Sequence, residues 1–315
     1  MTKFEATEEN AGDVRDPRGH DRIVARATEE LKRRLSEPLP PGLYLVATPI
    51  GNLGDVTLRA LACLANADHV YCEDTRHSRP MLAHFGIERS LRPYHEHNAH
   101  AERPRILALI AEGRSVALIS DAGTPLVSDP GYKLVREALD AGCDVKALPG
   151  ASAVMCAIAV AGLPTDQFHF AGFLPPKQGQ RLSRLSELGA IAGTVVLFEA
   201  PNRLPAALTD IVQALGADRP VVVARELTKR YEEVRRGTAG EVEAWARAAA
   251  VRGEVAILIG PAMHQEASEA DIRAALAQIG GEKGLKEAAK IVAGRLGVAR
   301  TRVYDIGLAM KSDNP

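Results

Sequence analysis

The sequence predicts an α/β protein: two α/β domains followed by a small helical domain. Three observations carry this. Short apolar runs alternate with helical stretches from Leu43 onward, those runs end in loops rich in Gly, Pro, Ser, Thr and Asp, and strand patterns cease after Gly260-Pro261. Alternation of this kind is the mark of a parallel sheet covered by helices. A loop leaving such a strand presents bare backbone amides at the carboxyl edge of the sheet, where open α/β folds bind ligands.

Composition narrows the class. At 315 residues the chain has the length of about two domains, and 46% hydrophobic with 25% charged residues is ordinary globular usage. A net charge of -1 gives no global field for nucleic acid, although a local basic patch suffices for RNA. Aromatic residues at 4% argue against a binder that relies on base stacking. Cys63, Cys72, Cys143 and Cys156 form no C-x-x-C pair and read as small hydrophobes in a reducing compartment. No apolar run reaches membrane-spanning length, and the N-terminus lacks the apolar core of a signal peptide. These features predict a cytoplasmic protein without a membrane partner.

Taken in order, residues 1–39 are charged and poor in large apolar side chains. This predicts a disordered extension with a short helix at 23–35. The first domain, 40–163, opens on the apolar run 43–47, which enters a glycine loop at 48–55. Thr57 is placed to cap a helix over 58–65. Strands follow at 69–72, 115–120 and 145–148, with helices near 80–85, 102–112, 132–141 and 153–161. The run Leu118 to Gly131 is the most informative stretch: an apolar strand that breaks into Ser120-Asp121-Ala122-Gly123-Thr124-Pro125 and restarts as a helix at Tyr132. Gly162-Leu163-Pro164-Thr165 reads as a linker. The second domain, 164–262, alternates again, with strands near 168–173, 194–199, 220–226, 231–235 and 255–259. Residues 263–315 carry three helical patterns, 270–278, 286–296 and 302–310. The tight turn before the last of them resembles a helix-turn-helix. Lys283, Lys286, Lys290, Arg295, Arg300 and Arg302 cluster there. This is either a phosphate-binding patch or the solvated face of a bundle.

The loops exclude several chemistries. Gly51-Asn52-Leu53-Gly54 is followed by Asp55, with no Lys-Ser/Thr pair to hold a triphosphate. Glu73-Asp74 ends the second strand about twenty residues after Gly51, the spacing at which a carboxylate meets a ribose hydroxyl. A helix cap or an ion pair with Arg76 is the structural alternative. His95-Glu96-His97 lacks further ligands to complete a metal site, so no metal is expected and the loop reads as substrate-facing. No nucleophile elbow, catalytic Cys setting or H-E-x-x-H is present. What remains is a positioning enzyme with a ligand held in the cleft between two domains.

Seven stretches then occur in order: 47–55 (ATPIGNLGD), 72–76 (CEDTR), 94–98 (YHEHN), 120–125 (SDAGTP), 148–152 (LPGAS), 198–203 (FEAPNR) and 224–229 (ARELTK). Together they resemble the 16S ribosomal RNA cytidine 2'-O-methyltransferases of the tetrapyrrole methylase superfamily, over 42–261, with the tail from 268 to 311 similar to that family's C-terminal helical domain. The resemblance implies two α/β domains of tetrapyrrole-methylase type, S-adenosylmethionine in the interdomain cleft, and a homodimer acting on 16S ribosomal RNA or the small subunit.

Residue by residue, it implies that Pro49 and Gly51 shape the first loop and that Asp121, Gly123, Thr124 and Pro125 lie along the cofactor's methionine part. Ser152 contacts it from a third loop. Phe198, Ala200 and Pro201, with Ala224, Arg225 and Glu226, close over the adenosine, and Ala256 adds to that wall. A ribose hydroxyl is a poor nucleophile until it loses its proton, which makes Asp74 and Glu226 the candidate bases. Arg76, His95, His97, Arg203 and Lys229 are the candidate substrate contacts. For Asp74, Glu226 and the cations an ion pair or helix cap is an equal reading. A tetrapyrrole methyltransferase and a non-catalytic nucleotide- or RNA-binding module are the alternative functions.

Overall fold

The central strand of the first sheet, β4, alternates Val116 and Leu118 toward one face with Ala117 and Ile119 toward the other, all buried. That period-two pattern with apolar residues on both sides is what a doubly covered parallel sheet requires. The computed structural model describes residues 17–249, 251–262, 268–279 and 284–312, and the chain divides after Gly260.

Helix α1 (Pro17–Ser36) precedes the first sheet, which holds β1 (Gly42–Val46), β2 (His69–Cys72), β3 (Leu91–Pro93), β4 (Ser115–Ile119) and β5 (Val145–Leu148). Its order is β3-β2-β4-β1-β5 and every pairing is parallel. Helices α2 (Leu58–Asn66) and α3 (Thr75–His84) cover one face through Cys63, Leu64 and Leu82. Helices α4 (Ala99–Ala111) and α5 (Tyr132–Asp140) cover the other through Ile106, Ile110, Leu134 and Ala138. Thr57 caps α2, accepting from the Ala60 N–H at 3.1 Å, and Asp74 caps α3.

Helix α6 (Ala153–Ala161) leads into the second sheet. That sheet comprises β6 (Phe168–Phe173), β7 (Thr194–Glu199), β8 (Pro220–Arg225), β9 (Glu233–Thr238) and β10 (Val255–Ile259), in the order β6-β7-β10-β8-β9. Helices α7 (Gln178–Gly189), α8 (Leu204–Leu215) and α9 (Ala239–Ala248) cover one face. Only the β6–β7 pair is parallel, and β10 runs antiparallel to both its neighbours. The alternation in sequence thus hides a mixed sheet. β8 and β9 are joined by a short connection rather than a crossover helix, which permits only an antiparallel pair.

Two further points differ from the sequence reading. Over Pro17–Ser36 the extension is one helix, where disorder with a short helix at 23–35 was expected. It is laced by Arg33–Glu30, Arg33–Glu37 and Arg34–Glu30 pairs, and the Asn66 side-chain amide donates to the Leu35 and Glu37 carbonyls. These i,i+3 and i,i+4 pairs supply support that a low count of large apolar residues does not reveal. Residues 1–16 lie outside the described residues. The other point is α6, which belongs by sequence to the 40–163 segment but packs on the second sheet. Val154, Ala157, Ile158 and Ala161 meet Val196, Val222, Ala224, Ala256 and Leu258 there. The chain therefore crosses between sheets at 149–152, ahead of the Gly162–Thr165 linker.

The segment after Gly260 holds α10 (Glu269–Ile279), α11 (Leu285–Leu296) and α12 (Arg300–Ser312) around Ile272, Ala289, Val292 and Val303, each 0% exposed. Gly297 takes a left-handed conformation at the end of α11, and the turn leads into α12, giving the helix-turn-helix expected. Lys286, Lys290, Arg295 and Arg300 are exposed, whereas Lys283 lies outside the described residues. No helix among the described residues is long and apolar enough to cross a membrane.

Candidate functional site

Three loops leave the carboxyl edge of the first sheet and are tied together by their own backbone. Thr48 and Gly123 form an antiparallel bridge, with N–H to carbonyl distances of 2.9 and 3.0 Å in the two directions. The Thr48 hydroxyl donates to the Ser120 carbonyl at 3.3 Å, and the Thr124 hydroxyl donates to the Ala151 carbonyl at 3.2 Å. Gly123 has a φ of +81°, and a Cβ there would stand 3.1 Å from Ile50 Cγ2. A side chain would therefore meet both strain and crowding.

Facing these loops are the ends of β7, β8 and β10. Between them lies a cavity of about 570 Å³, within the range of small-molecule and cofactor sites. Of the residues predicted to hold a cofactor, Asp121, Gly123, Thr124, Ser152, Phe198, Ala200, Pro201, Ala224 and Ala256 line it. Pro49, Gly51, Pro125 and Arg225 do not: Gly51 lies under Lys229, and Arg225 Nε donates to Glu233 Oε2 at 2.7 Å. Ser152 spends its hydroxyl oxygen as the cap of α6, accepting from the Met155 N–H at 3.4 Å.

The lining has a distinct electrostatic character. Five carboxylates, Asp121, Asp129, Glu199, Glu226 and Glu254, face one ammonium, Lys229, amid Ile50, Val127, Phe173, Phe198 and Leu227. Lys229 is itself paired with Glu226 at 3.0 Å and Glu254 at 3.3 Å. Glu199 is enclosed, with Oε1 accepting from the Ala200 N–H and facing Arg203 Nε at 3.1 Å, while its Oε2 is buried without a partner. Such a lining favours a cation and disfavours phosphates.

Backbone strain concentrates at the same place. Among the described residues, the non-glycine positions with positive φ are Leu126 and Ser128 on one side and Glu226 and Thr228 on the other. Each costs of the order of 1 kcal/mol and persists only where surroundings impose it, as functional sites do.

The two candidate bases are committed elsewhere. Asp74 does not line the cavity. Its carboxylate accepts from the Arg76 side chain at 2.6 Å and from the Arg76 N–H at 2.8 Å, and these bonds hold it well below the usual carboxylate range. For Glu226, burial works against the ionised form. The Lys229 ammonium and the Glu254 N–H outweigh it and lower the carboxyl below its ordinary value. Asp74 thus serves as an ion-pair and capping group, and Glu226 as an ion-pair group that also accepts from the Glu254 N–H at 3.1 Å.

The substrate candidates divide. Lys229 lines the cavity. Arg76 stands 87% exposed at the carboxyl edge, and His95 packs edge-on against an exposed His97. Arg203 is instead structural, donating from Nη2 to the Leu174 and Pro175 carbonyls. Sequence reasoning missed Asp129, Glu199, Glu254 and Phe173. Asp129 had a signal, since it sits in the same glycine-rich loop as Asp121. Cys63 and Cys72 are buried, and burial pushes their thiols up to about 12 and about 11. Among the described residues no group of three His, Cys, Asp or Glu is arranged to hold a metal ion.

Comparison with known proteins places this geometry. A family model described as Tetrapyrrole (Corrin/Porphyrin) Methylases matches residues 42–243, and one described as RsmI C-terminal HTH domain matches 266–311. A Mesorhizobium japonicum protein named Ribosomal RNA small subunit methyltransferase I is 49% identical over 86% of this chain and 94% of its own length. Its namesake from Escherichia coli O157:H7 is 43% identical over 84% of this chain and 94% of its own. The chain belongs to the ribosomal RNA small subunit methyltransferase I family of tetrapyrrole methylases. A solved uroporphyrin-III-C-methyltransferase from Thermus thermophilus shares the fold, with a TM-score of 0.51 at 22% identity over 70% of this chain and 94% of that one.

As a tetrapyrrole methylase the chain is a methyltransferase whose methyl donor is S-adenosylmethionine. The lining fits that group. A sulfonium cation is costly to bury unless carboxylates or carbonyls surround it, and the buried orphan oxygen of Glu199 is an acceptor awaiting a donor.

Proposed function

We propose that this chain methylates the ribose 2'-hydroxyl of a cytidine in the decoding region of 16S ribosomal RNA. The observation that carries this reading is the carboxylate-rich cavity at the carboxyl edge of the first sheet. S-adenosylmethionine supplies an electrophilic methyl group there. Asp121 and Thr124, on the bridged loops, are assigned to its amino-acid part, and Phe198, Ala200, Ala224 and Ala256 to its adenosine. Alignment of the hydroxyl with the methyl supplies much of the rate in an in-line transfer. The chain's task is therefore to orient, to exclude water and to move a proton.

The relatives named for small-subunit ribosomal RNA support the substrate class. The exposed Lys286, Lys290, Arg295 and Arg300 of the helical segment supply cations for phosphates, as does Arg76 near the site. We assign the protein to the cytoplasm as a homodimer.

Nucleoside mass spectrometry of ribosomal RNA from cells lacking the protein tests the reading. Loss of one 2'-O-methylcytidine from 16S RNA, restored by the purified protein with labelled cofactor, is the expected result. Label entering a porphyrinoid and not RNA overturns it.

A further inference from the structure

Five carboxylates line the cavity, and four of them are paired with a cation or accept from the backbone, Glu199 through Oε1 only. Asp121 Oδ1 accepts from the Asp74 N–H at 2.9 Å, and its Oδ2 lies 3.3 Å from His77 Nδ1. Glu226 and Glu254 share Lys229, and Glu199 is enclosed against Arg203. Asp129 differs. It is partly exposed on the cavity wall, its Oδ2 is buried with no hydrogen-bond partner, and it belongs to no ion pair among the described residues. The loop that presents it is held by left-handed Leu126 (φ 73°) and Ser128 (φ 68°) and by Gly131 (φ 149°). A Cβ at Gly131 would sit 3.1 Å from Leu126 Cδ1.

We propose that Asp129 is the general base that accepts the proton of the attacking hydroxyl. This rests on the ribose-hydroxyl reading above. The O–H bond breaks and its proton passes to the Asp129 carboxylate. The electron pair left on oxygen forms the new bond to carbon, and the pair of the breaking carbon–sulfur bond stays on sulfur.

The surroundings favour the role. Burial, the charge of Glu73 at the end of β2 and that of Asp121 at the end of β4 raise Asp129 to about 6, and the Ser120 hydroxyl alone works against them. Glu73 is itself raised by burial and by Asp121, with His95 opposing. A base is most effective when its pKa lies near the working pH. The deeply lowered Asp74 and the paired Glu226 are too weak.

The test uses the full-length protein and small-subunit RNA or subunits from cells lacking it. Asp129→Asn should slow single-turnover methylation at saturating cofactor by about a hundredfold or more, the scale of a lost general base, while calorimetric cofactor binding weakens by far less, since four of the five lining carboxylates remain. Asp129→Glu should recover part of the rate. The wild-type rate should rise with pH through about 6, and the Asn variant should lose that rise. Carbon-13 NMR of the free protein should show one aspartate titrating near 6 that is absent in the variant. An Asn variant within about fivefold of wild type, a wild-type rate flat across that range, or a variant that fails to bind cofactor overturns the assignment. If mass spectrometry instead finds the methyl on the base, the ribose reading has failed, and the NMR titration still reports on Asp129.

Discussion

Lys229 lies across Gly51. Its side chain reaches from the β8–β9 connection over the first loop, so that a Cβ added at Gly51 would stand 2.6 Å from Lys229 Cε. The ammonium beyond this contact bridges Glu226 and Glu254 on the cavity wall. Gly51, with a φ of +149°, joins the loops of the first sheet to the charged wall of the second. Gly51→Ala should therefore lower stability by about 1–3 kcal/mol through backbone strain and displacement of Lys229. It should also weaken cofactor binding. In a Lys229→Ala background the same substitution should cost less, because the contact part of the penalty is gone. Denaturant titration of all four variants gives the coupling, and strictly additive losses would show that the contact carries no energy.

Asp121 ties two loops through the Asp74 N–H and faces the cavity. Asp121→Ala should weaken S-adenosylmethionine binding by more than about tenfold, or 1.4 kcal/mol. Asp121→Asn keeps an acceptor for that N–H and should separate loop order from charge. Calorimetry reads both, and unchanged affinity in the Ala variant would move the methionine part of the cofactor elsewhere.

The legible parts of the sequence share one property: their signals are local. Strand β4 reads directly because every residue is buried, and the turns at Thr48–Asp55 and Ser120–Pro125 announce themselves by Gly, Pro and Asp. The antiparallel course of β10 does not, because strand direction is set by long-range pairing with β7 and β8. The allegiance of α6 is hidden for the same reason. Its Ala- and Val-rich surface suits either sheet, and the loop at 149–152 decides. Asp74 and Glu226 looked like bases because carboxylates at strand ends resemble one another in sequence. Only partners distinguish them: Arg76 and Lys229 claim those two, while Asp129 has no such claimant.

The segment after Gly260 has its own core, built on Ile272, Ala289, Val292 and Val303. Removing residues 264–315 should therefore leave cofactor affinity nearly unchanged while reducing RNA methylation. The residual activity should depend less steeply on salt as exposed cations are lost. Calorimetry and a methylation assay across ionic strength check this. Equal loss of both functions would assign the segment a structural role.

Asp129 also makes a prediction about stability. Its carboxyl is raised from 3.8 to about 6, so between these values the folded protein holds a proton that the unfolded chain has released. Stability must then fall as pH rises through that window and level off above it. The free energy at stake is on the order of 1–3 kcal/mol at 1.36 kcal/mol per pH unit, reduced for partial solvent contact. Asp129→Asn removes the charge. The variant should therefore melt several degrees higher than wild type at pH 7.5, on the scale of about 2–4 °C per kcal/mol. At about pH 4, where the native carboxyl is already neutral, the difference should vanish. Calorimetric melting at both pH values decides it. A variant less stable at pH 7.5 would mean that the carboxylate is stabilised by a partner in the fold, which would remove the basis for its raised pKa.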